Sequence, residues 1–317
     1  MGTSGVTTAP PADVLVAGLP GPLMDWTFDL IGRAATATYA AVSHLPIGGD
    51  AYWTPPGPAG ARLFSGDFLQ EDWAAYIRAG RIAAVLVLDD PAAVWDRLTG
   101  FGQSPAEATQ NMIAVATSFG DVAGSAAALT IRSPDLADPA GLAHRILAHL
   151  GLSPAAADVW EPPAPPPQTA IAADTRAIIE PAFAYGATCQ RMSVTWPRHR
   201  LFWGDSPGNP LPRVLDLTGP SRILAYGPYL ALPPGRWTMT AVIALSPSSR
   251  GAILALGLYN SNELGRIVFT AESPGLFKAT VPVVVDSPRN NLEIRLVSER
   301  GAIEGTIGID DIVFTPE

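Results

Sequence analysis

The sequence predicts an α/β fold followed by an all-β sandwich, and three observations predict it. Up to residue 152 short apolar strands alternate with helices, the pattern of an open sheet of parallel strands. The stretch from Ser153 to Gln168 then carries six prolines, a stiff linker and a domain boundary. From Arg213 onward about eight strand-like runs follow, β-branched and separated by Gly, Pro, Ser and Asn, as in a β-sandwich. The boundaries that follow are 1–152 for the α/β domain, 153–190 for linker and helix, and 191–317 for the sandwich.

Asp13–Gly18 is a short apolar strand ending in glycine. Leu23 to about Val42 has helical spacing, with Leu30, Ile31, Ala34 and Ala35 as core positions. Ala61–Ser65 is a strand, and Leu69–Ala79 a helix with Trp73 and Tyr76 three apart. Arg81–Leu88 is unbroken apolar after its arginine, the mark of a strand buried on both faces. Helices follow at Pro91–Leu98 and Ser104–Phe119, the second with a capping box of Ser104 and Glu107. Ala126–Arg132 is a strand. Asp138–Leu150 is a helix with Asp138 as N-cap, Pro139 in first position and Gly151 as C-cap. Ala172–Tyr185 is helical. The sandwich strands are RVLDLTG, RILAYG, RWTMTAVIALS, AILALGLYN, RIVFTAE, LFKATVPVVV, NLEIRLVSE and TIGIDDIVF.

Composition narrows the function. Lys278 is the sole lysine beside 19 arginines, and the net charge is −9. All of the excess lies in residues 1–165, with 7 Arg against 13 Asp and 3 Glu; residues 166–317 balance. That argues against nucleic acid, which needs a basic face. No run approaches a membrane span. The first 12 residues lack the basic and apolar regions of a Sec signal, so the cytoplasm is the default location, with non-Sec export left open. Cys189, the single cysteine, excludes an internal disulfide and a cysteine zinc site; it is expected to be a buried structural thiol. His144 and His149 lie five apart on one helix, which is not ligand spacing.

The segments VLVAGLP, VLVLDDPAAVWDRL and LTIRSPDLADPAGLAHRILAHLGL, in that order, resemble the P-loop sulfotransferases over nearly the whole first domain. The resemblance implies a loop after the first strand that holds the phosphosulfate of PAPS. The residues at that loop depart from the family's pattern. Gly21 stands where a basic residue is expected, between Pro20 and Pro22. Pro22 has no N–H to donate, and Asp25 replaces a hydroxyl. The second motif, an arginine and a serine in the family, reads Asp89 and Arg97. Each carboxylate about 4 Å from a phosphate would repel it by a few kcal/mol at an effective dielectric of about 20. The expectation is a sulfotransferase-like domain that has lost PAPS. Were it active, His44 with Asp50, or Asp67 with Glu71 and Asp72, would supply a base.

The run Tyr226-Gly227-Pro228-Tyr229 to Leu232-Pro233-Pro234-Gly235-Arg236-Trp237 resembles a jelly-roll module attached to bacterial glycosyltransferases and other surface-polysaccharide proteins. The ending Gly308-Ile309-Asp310-Asp311-Ile312-Val313-Phe314 is similar to the last strand of carbohydrate-binding sandwiches. Sugar faces stack on aromatic rings while polar groups fix the hydroxyls. Trp196, Trp203 and Tyr229 are the candidate platforms, with Phe202 and Tyr226 nearby and Trp237 assigned to the core. Arg198, Arg200, Asn260, Asn262 and Glu263 are candidate polar partners. The resemblance implies calcium at one of Asp310 or Asp311, which adjoin on a strand and are expected to face opposite sides.

These readings give a non-catalytic protein of bacterial surface polysaccharide biosynthesis, binding a glycan, a glycoconjugate or a synthesis protein, with self-association left open. The alternatives are an active glycan-modifying transferase with an unusual donor site, and an assembly protein that uses both domains as interaction surfaces.

Overall fold

The computed structural model describes residues 13–47, 60–153, 170–287 and 291–317. The N-terminal arm, Asp50 and residues 154–168 of the proline-rich segment lie outside the described residues. The chain divides into two compact units. The first runs to Ala108 and adds Ser118–Ile171 and Gly186–Cys189; the second comprises Thr109–Thr117, Ala172–Tyr185 and Gln190–Glu317.

The first unit is α/β. Its strands are β1 (Asp13–Gly18), β2 (Ala41–Pro46), β3 (Gly60–Gly66), β4 (Ala83–Leu88) and β5 (Ala128–Arg132). They pair in parallel in the order β2-β3-β1-β4-β5. Its helices are α1 (Pro22–Thr38), α2 (Glu71–Arg78), α3 (Pro91–Gly100) and α5 (Pro139–His149), with the two ends of α4 (Pro105–Gly120), whose middle, Thr109–Thr117, belongs to the second unit. Central β1 and β4 are buried almost throughout, as their apolar runs require. Val14, Val16 and Val85 pack against Leu23 and Leu30 of α1 and Leu142 and Ile146 of α5. The chain leaves β1 toward β2 and β3 on one side and resumes at β4 on the other. The boundary of β1 and β4 is therefore the sheet's topological switch point, where open α/β sheets bind ligands beyond the strands' carboxyl ends.

The helix expected over 23–42 stops at Thr38. Thr36 and Thr38 hydroxyls bond back to the Gly32 and Ala34 carbonyls. Tyr39 is extended at φ −115°, ψ 147°, and Ala41–Pro46 forms edge strand β2 on β3. The Ser104–Glu107 capping box on α4 is present in both directions. Ser104→Ala is expected to lower stability by about 1 kcal/mol, readable as a shift of the urea midpoint at unchanged slope. Asp138 accepts from the Gly141 N–H, and Gly151 takes the left-handed φ of +66° that a helix C-terminus asks of glycine. Cys189 corrects its expectation: it is exposed, at φ +60°, just past the last helix.

The second unit holds most of α6 (Ala173–Thr188) and two antiparallel five-stranded sheets. One runs β13 (Gly275–Val285), β10 (Gly235–Leu245), β15 (Thr306–Pro316), β6 (Val194–Trp196), with β8 (Leu215–Asp216) also on β15. The other runs β12 (Glu263–Thr270), β11 (Ile253–Tyr259), β14 (Leu292–Ser298), β9 (Arg222–Leu230), β7 (Phe202–Trp203). Apart from the hairpin β11–β12, successive strands alternate between the sheets, giving a jelly-roll sandwich. Leu254, Leu256, Leu258, Ile294 and Leu296 alternate inward, and Trp237 is fully buried with its indole N–H donating to the Pro233 carbonyl at 2.9 Å. The expected strand RVLDLTG is reduced to Leu215–Asp216, because the Asp216 carboxylate accepts from the Thr218 N–H and turns the chain.

Candidate functional site

In the α/β unit the three segments of the sulfotransferase-like reading meet at the switch point. After β1 comes the turn Leu19–Gly21 and the N-terminus of α1. After β4 come Asp89 and Asp90, and after β5 comes Ser133. The Asp89 side chain is only 4% exposed. Its Oδ2 accepts from the Leu23 N–H at 2.7 Å. Its Oδ1 accepts from the Asp90 N–H at 2.7 Å and the Ser133 hydroxyl at 2.8 Å. The Met24 N–H, next along α1, also favours the charged carboxylate. Burial pushes this carboxyl above its ordinary range, while the Ser133, Asp90, Leu23 and Met24 bonds pull the other way. Beside it Asp90 caps α3 by accepting from the Ala92 and Ala93 N–H groups. Arg97 of α3 pairs with Asp25 of α1 at 2.7 Å, across the same crevice.

The first free N–H groups of α1 are given to a carboxylate of the chain itself. Pro22 supplies none, and Arg97 is paired with Asp25.

Of the candidate bases, Asp50, the expected partner of His44, lies outside the described residues. His44 lies on edge strand β2 with its ring edge-on to Phe28 at 5.3 Å. It opens on a hollow of about 490 Å³ with Asp29, Gly32, Arg33 and Thr36. Asp67 is exposed in the turn after β3, and Glu71 and Asp72 form the exposed first turn of α2, where acids complement the helix dipole. His149 is half-buried, its ring nitrogen 3.2 Å from the Ala84 carbonyl.

In the sandwich the aromatic candidates separate. Trp196 corrects its expectation as a stacking platform. It is 0% exposed, packed on Phe314 with ring centroids 4.5 Å apart, and offers no face to a ligand. Phe202, Tyr226 and Tyr229 cluster instead, with centroids 5.5 to 6.4 Å apart, each half-buried. Phe202 stands in register with Tyr226, and Trp203 with buried Ala225, so strand alternation turns Trp203 to the other face. Tyr229 holds a left-handed φ of +65°, which costs a non-glycine residue about 1–2 kcal/mol. Strain of this kind gathers at functional positions.

Beside the cluster lies a polar row on the same sheet. The Tyr229 hydroxyl is 3.4 Å from Glu293 Oε1, whose other oxygen takes Arg295 at 2.6 Å. The Arg295 guanidinium lies 4.6 Å from the centre of the Tyr259 ring, and the Tyr259 hydroxyl reaches Glu263 at 3.4 Å. Burial raises both tyrosine hydroxyls above their ordinary range, with Glu293 and Glu263 adding to it. Sequence reasoning missed Glu293 and Arg295. Their signal was the alternation in β14, where Leu292, Ile294 and Leu296 are buried and the charges between them must face out.

The remaining polar candidates hold the fold together. Arg198 donates its backbone N–H to Asp311 and its side chain to the Leu211 carbonyl. Arg200 bonds Thr175, and His199 meets Asp174 at 2.7 Å. Asn260 and Asn262 close the β11–β12 turn through Asn260 Oδ1 and the Asn262 N–H. Asp310 and Asp311 both face outward, against the expectation of opposite sides. Ile312 pairs with Ala241 and Ile309 with Ile243, so two aspartates oppose Val242 alone in a bulge. Asp311 then accepts from Arg198, and Asp310 from the Asp311 N–H. Among the described residues no three His, Cys, Asp or Glu side chains converge as metal ligands.

No family model matches the sequence, and no curated protein is significantly similar to it. Solved structures give partial likenesses. Mouse sulfotransferase SULT7A1 complexed with PAP matches at 13% identity over 46% of this chain and 60% of that one, TM-score 0.36. The K1 cleaved adhesin domain of Lys-gingipain from Porphyromonas gingivalis W83 matches at 11% identity over 40% of this chain and 99% of that one, TM-score 0.29. The C-terminal CBM6 of LamC from Zobellia galactanivorans matches at 12% identity over 39% and 98%, TM-score 0.27. Likenesses this partial leave function to the geometry. No helix among the described residues is long and apolar enough to cross a membrane.

Proposed function

We propose that this is a non-catalytic glycan-binding protein of bacterial surface polysaccharide production, whose sandwich binds carbohydrate and whose α/β unit has given up PAPS. The observation that carries the reading is the Phe202–Tyr226–Tyr229 cluster beside the Glu293–Arg295 pair. Aromatic rings offer stacking faces, and a carboxylate next to a guanidinium offers both an acceptor and donors to sugar hydroxyls. Supporting the second half is the Asp89 carboxylate at the α1 N-terminus, with the family's basic residue replaced by Gly21.

The test is a glycan array or polysaccharide pull-down on the full chain. Tyr226→Ala and Tyr229→Ala are each expected to weaken binding about ten-fold, the loss of one stacking ring. Trp203→Ala should leave binding within about two-fold, because it lies on the other face. A preparation that binds no glycan, or variants that bind as well as the parent, would overturn the carbohydrate reading. Calorimetric titration with PAPS or its bisphosphate product should give no heat; micromolar affinity would overturn the loss of the cofactor.

One observation favours an assembly role as a second reading. Leu276, Val284 and Val268 are exposed on the outer strands β13 and β12. Concentration-dependent association in analytical ultracentrifugation, abolished by Leu276→Asp, would support that role.

A further inference from the structure

We propose that Asp89 is the α/β unit's own anionic ligand: its carboxylate fills an oxyanion cradle at the switch point and holds the crevice shut from within. Two chain segments far apart in sequence, the first turn of α1 and Ser133 beyond β5, deliver donors to this one group beside the N–H of its neighbour Asp90. A buried carboxylate is retained only where donors and dipoles replace its water. Here the replacement consists of two backbone N–H groups at 2.7 Å and a hydroxyl at 2.8 Å. The N-terminus of α1 contributes its partial positive charge. Such a set is what a bound phosphate or sulfate oxygen would ask for, and the chain supplies the anion itself.

The neighbouring glycine shows that the arrangement is built. A Cβ on Gly21 would lie 2.2 Å from Asp89 Oδ2 and 2.8 Å from its carboxyl carbon. Any side chain at position 21 therefore evicts the carboxylate. The missing basic residue and the added aspartate, two separate departures in the sequence, are one steric change in the structure. Across the mouth, the pair Asp25–Arg97 ties the first turn of α1 to α3 and spends the nearby arginine. The inference deepens the proposed reading of the α/β unit and does not depend on what the sandwich binds.

Chemical rescue tests it on the full chain. Asp89→Ala should lower the α/β unit's unfolding midpoint. Formate or sulfate at about 100 mM should then raise it by about 3–5 °C over chloride at equal ionic strength, as expected of a ligand that binds only the folded state. The parent protein should show no difference between the salts. Gly21→Ala should lower the midpoint in the parent and do so by less than half as much beside Asp89→Ala, because the clash is gone. Equal responses to all three anions in the Asp89→Ala variant, with an additive Gly21 effect, would overturn the proposal. Should Asp89→Ala fail to fold, Asp89→Ser keeps a short side chain and takes the same two measurements, with the same outcomes deciding. The titration of the parent with the bisphosphate stands apart: it judges the loss of PAPS, and the rescue judges the cause.

Discussion

Trp196→Ala should lower the stability of the sandwich by about 3–5 kcal/mol and leave glycan affinity unchanged wherever the variant is folded. The ring is fully buried between β6 and the last strand, tilted against Phe314. Its removal leaves a hole that the surrounding sheet can close only in part. β6 is three residues long and pairs with β15 through Ile312, Val313 and Phe314 alone. Without the indole little else secures this edge strand. Denaturant unfolding checks the first half, and the polysaccharide pull-down at low temperature checks the second. Trp196→Phe, which refills most of the volume, should recover more than half of the loss. A Trp196→Ala variant of normal stability but no glycan binding would return Trp196 to the role of stacking platform that its sequence neighbourhood suggests.

The reason for that misreading is general. Trp196 and Trp203 share a segment rich in aromatics and arginines, and composition does not say which way each ring turns. Direction comes from pairing. Trp196 is turned inward by its register with Ile312, and Phe202 outward by its register with Tyr226. What local rules govern was legible. The apolar run of β4, the capping box at Ser104, the Asp138 cap and the alternation of the long sandwich strands all lie where pattern and propensity put them. What long-range pairing governs was not. The end of α1 at Thr38 depends on β3 accepting β2, and the outward turn of both Asp310 and Asp311 depends on a bulge opposite Val242. Asp89 is the sharpest instance. The sequence shows a carboxylate where a phosphate would be repelled. The structure shows the same carboxylate bound by donors 66 and 44 residues away, at Leu23 and Ser133. The electrostatic sign was readable; the attraction that accompanies it needed the fold.

Gly204→Ala should abolish most glycan binding, by ten-fold or more, while costing about 1–3 kcal/mol of stability. A Cβ at this position would lie 1.9 Å from the Ile223 carbonyl oxygen and 2.7 Å from its carbon, both backbone atoms. Strand β9 cannot retreat, because its other edge is paired along β14 from Arg222 to Leu230. The short strand β7 must move instead. Two registered residues, the bond from the Gly204 N–H to the Leu224 carbonyl and the Asp205–Arg222 ion pair at 2.6 Å hold it to β9. Phe202 moves with it and leaves the faces of Tyr226 and Tyr229, so one methyl group dismantles the aromatic cluster without touching a ring. Gly100→Ala, where a Cβ meets nothing within 4 Å, is the control and should change neither quantity. Affinity lost together with the Phe202 contacts, seen as a change in tyrosine fluorescence or aromatic ring-current shifts, would tie the binding face to β7. Retained affinity in a variant whose β7 has detached would remove Phe202 from the site and leave Tyr226, Tyr229 and the Glu293–Arg295 pair to carry it.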